Sequence, residues 1–140
     1  NTELESLDLR LAKTEISDKA LAIIGQKLSK LGRLKKLRFN LENNVSLKSF
    51  GTQLLPLIEN KELTSFGLNI WRCREMSSNE LKLLIHNLSY RLLSELELYL
   101  GDQIVNDGTL RLIQQLIEKS VNLVKFHFGL GNDSSFSELP

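Results

Sequence analysis

One pattern of apolar residues recurs five times in this chain of 140 residues. It places large apolar residues at offsets 0, 3, 5 and 7 of the segments LESLDLRL, LKKLRFNL, LTSFGLNI, LSELELYL and LVKFHFGL. The segments begin at Leu4, Leu34, Leu63, Leu93 and Leu123, so their starts lie 30, 29, 30 and 30 residues apart. The steps of two predict a short strand with one apolar face, and the first step of three predicts entry through a turn. Self-similarity at so regular a spacing indicates a repeat architecture.

Helical spacing of apolar residues replaces this pattern between the predicted strands. The faces predicted after the first, third and fourth strands are Leu21, Ile24, Leu28 and Leu31; Leu81, Leu84, Ile85 and Leu88; and Leu110, Ile113, Leu116 and Ile117. The candidate N-cap residues before them are Ser17 or Asp18, Ser77 or Ser78, and Asn106 or Asp107. The second linker keeps a weaker stripe of Phe50, Leu54 and Ile58. It also contains Pro56, which lacks a backbone N–H and is expected to kink or shorten that helix.

A unit of one strand and one helix is too small to bury both of its apolar faces alone, so the units are expected to stack. Strands pack about 4.8 Å apart whereas helices need about 8–10 Å, so the stack should curve with its helices outside. The predicted fold is therefore α/β, a single solenoid segment over residues 1–140 with about four and a half repeats. Neither end carries a polar cap, so we expect a longer array, or other chains that cover the ends.

The LxxLxLxL pattern, followed by a helix at a period near 30, resembles the leucine-rich repeats of the ribonuclease-inhibitor-like subtype. The resemblance covers nearly the whole chain. The family's asparagine after the strand, whose side chain bonds backbone in the turn, is best matched by Asn44; the equivalent positions hold Thr14, Cys73, Gln103 and Asp133. The resemblance implies a non-catalytic scaffold or adaptor that binds another protein through the concave sheet face or the rim loops, within a large assembly in some members. The family also contains small-GTPase activators and substrate-recognition subunits for ubiquitin transfer, and the architecture does not choose among these.

Composition and charge restrict the partners. Lys and Arg number 18 and Asp and Glu 17, so the chain as a whole is not expected to attract nucleic acid or an acidic membrane. No apolar run approaches the roughly 18 residues that span a bilayer. The single cysteine, Cys73, cannot form an intramolecular disulfide and fits a reducing compartment. We therefore expect an intracellular, cytoplasmic protein whose partner is another protein, with cytoskeletal or ciliary locations left open.

The sequence contains no recognisable catalytic or metal-binding motif. Phosphate-binding loops, zinc-protease helices and nucleophile elbows are absent. Gly129 and Gly131 follow a predicted strand but lack the rest of a phosphate loop. Two histidines, His86 and His127, and one cysteine are too few for the common metal sites. We therefore expect no enzymatic activity and no cofactor, and we interpret Cys73 as a buried or half-buried structural thiol.

Alternation along each strand sends offsets 2, 4 and 6 to the sheet face away from the helices, which we call the open face. Its three columns are Ser6, Lys36, Ser65, Glu95 and Lys125; Asp8, Arg38, Gly67, Glu97 and His127; and Arg10, Asn40, Asn69, Tyr99 and Gly129. The second repeat is basic and the fourth is acidic, and Gly67 leaves a notch between them. The candidate partner-binding residues are Lys36, Arg38, Asn40, Asn69, Glu95, Glu97, Tyr99, Lys125 and His127.

A purely structural interpretation of the same charges is compatible with binding. Side chains on adjacent strands lie about 5 Å apart, so Asp8 is expected to pair with Arg38. For the same reason, Glu95 or Glu97 is expected to pair with Lys125 or His127.

The third strand leads into a rim loop that contains Trp71, Arg72 and Arg74. We expect Trp71 to pack over the end of the sheet; otherwise it is an exposed anchor for a partner protein or for stacking on RNA. Arg72 and Arg74 are the rim arginines that would serve a GTPase-activating role. Regulation of an enzyme is therefore the alternative to a scaffold function.

Overall fold

The computed structural model describes residues 4–101 and 105–130, in which five strands alternate with four helices. The strands are β1 (Ser6–Arg10), β2 (Lys36–Asn40), β3 (Ser65–Asn69), β4 (Glu95–Tyr99) and β5 (Lys125–Gly129). The helices are α1 (Asp18–Leu28), α2 (Phe50–Ile58), α3 (Ser78–Leu88) and α4 (Asp107–Lys119). The sequence-based expectations for Gln103, Gly131 and Asp133 lie outside the described residues.

The strands form one parallel sheet in the order β1-β2-β3-β4-β5. Every strand residue stands beside the residue at the same offset of the next pattern, as in the row Leu7, Leu37, Phe66, Leu96 and Phe126. The hydrogen bonds continue past the strand ends, where the Leu11 N–H donates to the Asn40 carbonyl at 2.8 Å. Each helix packs against the next helix along the chain. The α/β class is confirmed, and the sequential parallel sheet is compatible with an α/β solenoid.

The core lies between the sheet and the helices. The twelve apolar residues at offsets 0, 3, 5 and 7 of the second, third and fourth patterns are each at most 2% exposed. The matching residues of the first and fifth patterns are mostly half-buried, because β1 and β5 are the outer strands of the described sheet. The predicted period of the strands therefore selects the core residues correctly.

Three helices begin at polar caps of their own. The side chains of Ser17 and Ser77 accept hydrogen bonds from the backbone N–H groups of Ala20 and Glu80. At the start of α4, Asn106 and Thr109 form a reciprocal capping box. Satisfying these N–H groups stabilises a helix start by about 1 kcal/mol. The sequence offered two candidates at each start, and the structure selects the first of each pair.

The predicted apolar face of α4 is wrong at one position. Leu110 is 42% exposed, whereas Thr109 is completely buried. The capping box holds Thr109 against Asn106, and this sets the rotation of the first turn of the helix. Ile113 and Leu116 face the core as predicted, and Ile117 is partly buried against it.

Helix α2 is capped by its two neighbours instead of by its own residue. Ser49 makes no capping hydrogen bond with its side chain. The Asp18 carboxylate of α1 accepts from the N–H groups of Lys48 and Ser49, and the Glu80 carboxylate of α3 accepts from the Thr52 N–H. A negative charge is favourable at this end of a helix.

The close approach of α2 to α3 requires a glycine. A Cβ atom at Gly51 would overlap the backbone carbonyl of Glu80. With Pro56 in its last turn, α2 is nine residues long, whereas the other described helices have 11 to 13. The difference lies at the start of α2, since Ile58 and Leu88 both end their helices five residues before the next pattern, so the shorter length does not trace to Pro56.

Candidate functional site

The three predicted columns of the open face are in register across all five strands. Lys36 stands beside Ser65, which stands beside Glu95 and then Lys125. Arg38, Gly67, Glu97 and His127 form the next column, and Asn40, Asn69, Tyr99 and Gly129 form the third. The structure therefore brings all nine candidate partner-binding residues onto neighbouring positions of one surface.

Glu97 is the centre of a polar cluster on this face. Its Oε2 atom accepts hydrogen bonds from Arg38 Nη2 and from the Tyr99 hydroxyl, the latter at 3.2 Å. Lys125 Nζ lies 3.6 Å from the other carboxylate oxygen. The Glu97 side chain is only 9% exposed, whereas those of Arg38 and Lys125 are about half exposed. The cluster thus supplies three donors to one carboxylate that is largely removed from solvent.

Arg38 reaches Glu97 because β3 carries a glycine between them. Arg38 is on β2 and Glu97 is on β4, so the pair spans the intervening strand at Gly67. A Cβ atom at Gly67 would lie 3.2 Å from both Cγ and Nε of Arg38, closer than is usual for packed atoms. The notch predicted at Gly67 is therefore occupied by the Arg38 side chain.

These contacts correct the expected pairing. Asp8 does not pair with Arg38 but lies 3.4 Å from Arg10, on its own strand. Glu95 accepts a hydrogen bond from the Ser65 hydroxyl at 3.4 Å. The expected contact between Glu97 and Lys125 is confirmed. The predicted separation into a basic and an acidic half is also modified, because the long Arg38 side chain joins the two halves.

Two shallow pockets lie on the open face, on either side of the Arg38–Glu97 pair. One has a volume of about 190 Å³ and includes Arg10, Asn40, Asn69 and Tyr99 in its lining. The other, of about 270 Å³, includes Lys36, Ser65, Glu95 and Lys125. Asp8 and Arg10 were not among the candidate partner-binding residues, although alternation along the first strand had already placed them on the open face.

The two asparagines of the first pocket are held in one orientation by the backbone. Asn40 Oδ1 accepts from the Glu42 N–H at 3.1 Å, and Asn69 Oδ1 accepts from the Trp71 N–H at 3.0 Å. Only the oxygen of an amide can accept, so the NH₂ group of each side chain is turned away from these backbone donors. Asn40 and Asn69 are register partners on adjacent strands, which places the two amides side by side.

The rim residues lie in the loop that follows β3. The Arg72 guanidinium carbon lies 4.3 Å from the centre of the Trp71 ring, a distance typical of a cation–π contact. Trp71 is half-buried, and Arg72 and Arg74 are exposed. The Trp71 ring is therefore partly covered by the protein and partly exposed. This position is intermediate between the two predicted alternatives, packing over the sheet end and full exposure.

Cys73, between the two arginines, is a buried thiol. It is 2% exposed, and its Sγ donates to the Leu41 carbonyl at 2.9 Å. Burial raises the pKa of this thiol from its ordinary value of 9.0 to about 11, with smaller effects from a backbone hydrogen bond to Asn44, which lowers it, and from Glu42, which raises it. A thiol that stays protonated is a poor nucleophile. The expectation that Cys73 is a buried thiol is confirmed.

Asn44 makes the turn contacts expected for it. It is completely buried, its Nδ2 donates to the carbonyls of Leu11 and Leu41, and its Oδ1 accepts from the Ile16 N–H. It therefore joins the first two turns to each other. Cys73 takes the same position one pattern later and bonds Leu41, the residue equivalent to Leu11.

Within residues 4–101 and 105–130, no group of three or more metal-binding side chains is brought together. None of the helices in these ranges is long and apolar enough to cross a membrane. No model of a known protein family matches the chain, and a search of curated proteins gives no significant match.

Proposed function

We propose that this chain is an α/β solenoid of the leucine-rich-repeat type and that it acts as a non-catalytic scaffold, binding another protein through the open face. The observation that carries this proposal is the in-register open face, where polar side chains of five strands surround two pockets. Polar and charged groups held in fixed positions favour selective recognition of a complementary partner. Tyr99, half-buried at the edge of the first pocket, is a residue type enriched at energetic centres of interfaces.

The turns support the repeat interpretation. Three non-glycine residues with left-handed backbone follow the first residue of their pattern by the same distance, with φ values of 58°, 62° and 63°: Lys13, Asn43 and Arg72. A left-handed conformation costs such residues roughly 1 kcal/mol, so its recurrence at one offset reflects a shared turn geometry. The equivalent bonds of Asn44 and Cys73 point the same way.

Comparison of purified baits tests the proposed function. The full-length protein would be purified from its own cells with its partners, in parallel with an open-face variant, Lys36→Ala with Tyr99→Ala. A control variant, Lys27→Ala with Lys30→Ala, removes two exposed lysines, one in the last turn of α1 and one just after it. We expect the open-face variant to lose partners that the control retains, while both melt like the wild type.

Equal recovery by the open-face variant and the wild type would contradict binding at this face. A rim variant, Arg72→Ala with Arg74→Ala, separates the loop from the sheet. If only the rim variant loses partners, the contact lies on the loop that contains Trp71.

The alternative, regulation of an enzyme such as a small GTPase, rests on these rim arginines. Arg72 is held against Trp71 and Arg74 is exposed, so both are positioned at the surface. Stimulated GTP hydrolysis that is lost in the rim variant would favour this function over a scaffold.

A further inference from the structure

We propose that the pocket beside the Arg38–Glu97 pair takes a carboxylate, supplied by an Asp or Glu side chain of an extended segment of the partner protein. The inference rests on the proposed function and specifies the chemistry that the open face recognises. It is carried by four donor groups around one pocket: Arg10, Arg38, Asn40 and Asn69.

The asparagine pair supplies two fixed donors. The backbone N–H groups of Glu42 and Trp71 hold the two Oδ1 atoms, so both NH₂ groups remain for a ligand. Side chains at register positions of adjacent strands lie about 5 Å apart. The two oxygens of one carboxylate can therefore accept from both amides at the same time.

The guanidinium groups supply the charge. Arg38 uses one nitrogen for Glu97, but a guanidinium has five N–H donors, and the side chain is 51% exposed. The Arg10 side chain is 81% exposed, with Asp8 3.4 Å away. Across the open face, the strand columns contain four cationic side chains against three carboxylates: Arg10, Lys36, Arg38 and Lys125 against Asp8, Glu95 and Glu97. The lining of this pocket itself pairs the two guanidinium groups with two carboxylates, Asp8 and Glu97, so the preference for an anionic acceptor comes from the number of N–H donors directed at one site.

The contacts of Glu97 explain why this carboxylate does not repel an acidic ligand from the pocket. Its Oε2 atom is occupied by Arg38 and Tyr99, and Lys125 approaches Oε1. These contacts neutralise Glu97 locally and keep Arg38 extended over β3, where its side chain lines the pocket. Glu97 thus acts as a positioning residue for Arg38.

Nuclear magnetic resonance on the ¹⁵N-labelled chain tests the inference with two blocked tripeptides, acetyl-Gly-Glu-Gly-amide and its Gln counterpart. We expect the Glu peptide to shift the side-chain NH₂ signals of Asn40 and Asn69 saturably, with a dissociation constant of about 1 mM, typical of a few polar contacts. The Gln peptide, which has the same shape without the charge, should bind at least tenfold more weakly.

The variant Asn40→Asp with Asn69→Asp provides a matched test. Aspartate keeps the oxygen that the backbone N–H groups need but replaces each outward NH₂ by a second oxygen, so the fold is retained and the carboxylate is repelled. The control, Asn79→Asp with Gln115→Glu, adds the same two charges at exposed helix positions. Because the first variant lacks the two NH₂ groups, its response is read on the backbone N–H signals of Glu42 and Trp71, which bond the two side-chain oxygens. We expect these signals to respond to the Glu peptide in the wild type and in the control, and not in the first variant.

Equal shifts with both peptides, no shift with either, or an unchanged response in the asparagine variant would each overturn the inference. The proposed function fails separately, when the open-face bait variant keeps all its partners. If the open-face variant loses partners but the Glu peptide does not shift the signals of Asn40 and Asn69, the scaffold function is retained. Only the proposal of a carboxylate ligand is then rejected.

Discussion

Arg38 on β2 and Glu97 on β4 form an ion pair across an entire strand, above Gly67 of β3. Pairs of exposed ions contribute about 0–1 kcal/mol, and this one lies near the upper end because the Glu97 side chain is only 9% exposed. The geometry depends on the absence of a side chain at Gly67, where a Cβ atom would already lie 3.2 Å from Arg38.

A double-mutant cycle between Arg38→Met and Glu97→Gln should give a coupling energy of about 1 kcal/mol. In a Gly67→Val background, the larger side chain displaces Arg38, and the coupling should fall close to zero. Urea denaturation of the four variants in each background measures it. The coupling is the correct readout, because valine favours strands and can raise total stability on its own. A coupling that survives in the Gly67→Val background would contradict the role assigned to the glycine.

This pair also marks the boundary of what the sequence predicts. The columns of the open face followed from the spacing of the patterns and from alternation along a strand, and all five strands have that register. The sequence argument paired only adjacent strands. It missed a contact 59 residues apart, because that contact depends on the length of one arginine and the space above one glycine.

The error at Leu110 has a similar origin. The apolar residues of α4 fit more than one helical face, and the capping box of Asn106 and Thr109 decides the rotation. The N-terminal N–H groups of α2 likewise bond to carboxylates of the neighbouring helices, which lie about 30 positions away in the sequence. Local sequence patterns do not predict such contacts. Periodicity thus predicts which layer a residue joins, whereas side-chain hydrogen bonds set the details that the site depends on.

Removal of Asp18 should loosen the start of α2 more than that of α1. Its carboxylate accepts from the N–H groups of Lys48 and Ser49. We expect Asp18→Ala to lower the free energy of unfolding by about 1–2 kcal/mol, as other cap losses do, and Asp18→Asn to have a smaller effect. Hydrogen exchange should accelerate at Lys48 and Ser49, while the Ala20 N–H, bonded to Ser17, remains protected. Acceleration at Ala20 alone would show that Asp18 serves only its own helix.

Asn44 should be among the most sensitive polar residues of the described chain. Asn44→Ala leaves the Ile16 N–H without its partner and removes one of the two hydrogen bonds of the Leu11 carbonyl, which keeps the bond from the Thr14 hydroxyl. A buried group left unsatisfied costs about 1–3 kcal/mol, so we expect a loss of this size in urea denaturation. Asn79→Ala, at an exposed position of α3, is the control and should change the free energy by less than about 0.5 kcal/mol. A loss below about 1 kcal/mol at Asn44 would mean that water replaces its contacts.

One of the two left-handed residues of the first turn, Lys13, offers a gain in stability. Lys13 is exposed and has a φ of 58°, a region that glycine adopts without strain. Lys13→Gly should raise the free energy of unfolding by about 0.5 kcal/mol, because relief of about 1–2 kcal/mol exceeds the added entropy of the unfolded chain. Lys13→Ala keeps the strain and is the control. Thermal melts of both variants measure the difference, and a glycine variant no more stable than the alanine variant would contradict it.

The buried thiol predicts a loss of stability at alkaline pH. Burial raises the pKa of Cys73 to about 11, so the folded chain keeps the proton at a pH where the unfolded chain has released it. The contribution of this group is complete below about pH 9 and is lost as the pH rises through about 11. The free energy of unfolding should therefore fall between these values with a slope of up to about 1.4 kcal/mol per pH unit from this residue.

Cys73→Ser isolates that contribution, because serine keeps a donor for the Leu41 carbonyl but does not titrate in this range. The wild type should lose stability more steeply than the variant between pH 9 and 11, while their difference stays constant from pH 6 to 8. Alkylation at pH 8 gives an independent measure: the thiol should react slowly in the folded chain and quickly in urea. Rapid labelling of the folded chain, together with parallel pH profiles, would show that the thiol is accessible and that its proton is not held by burial.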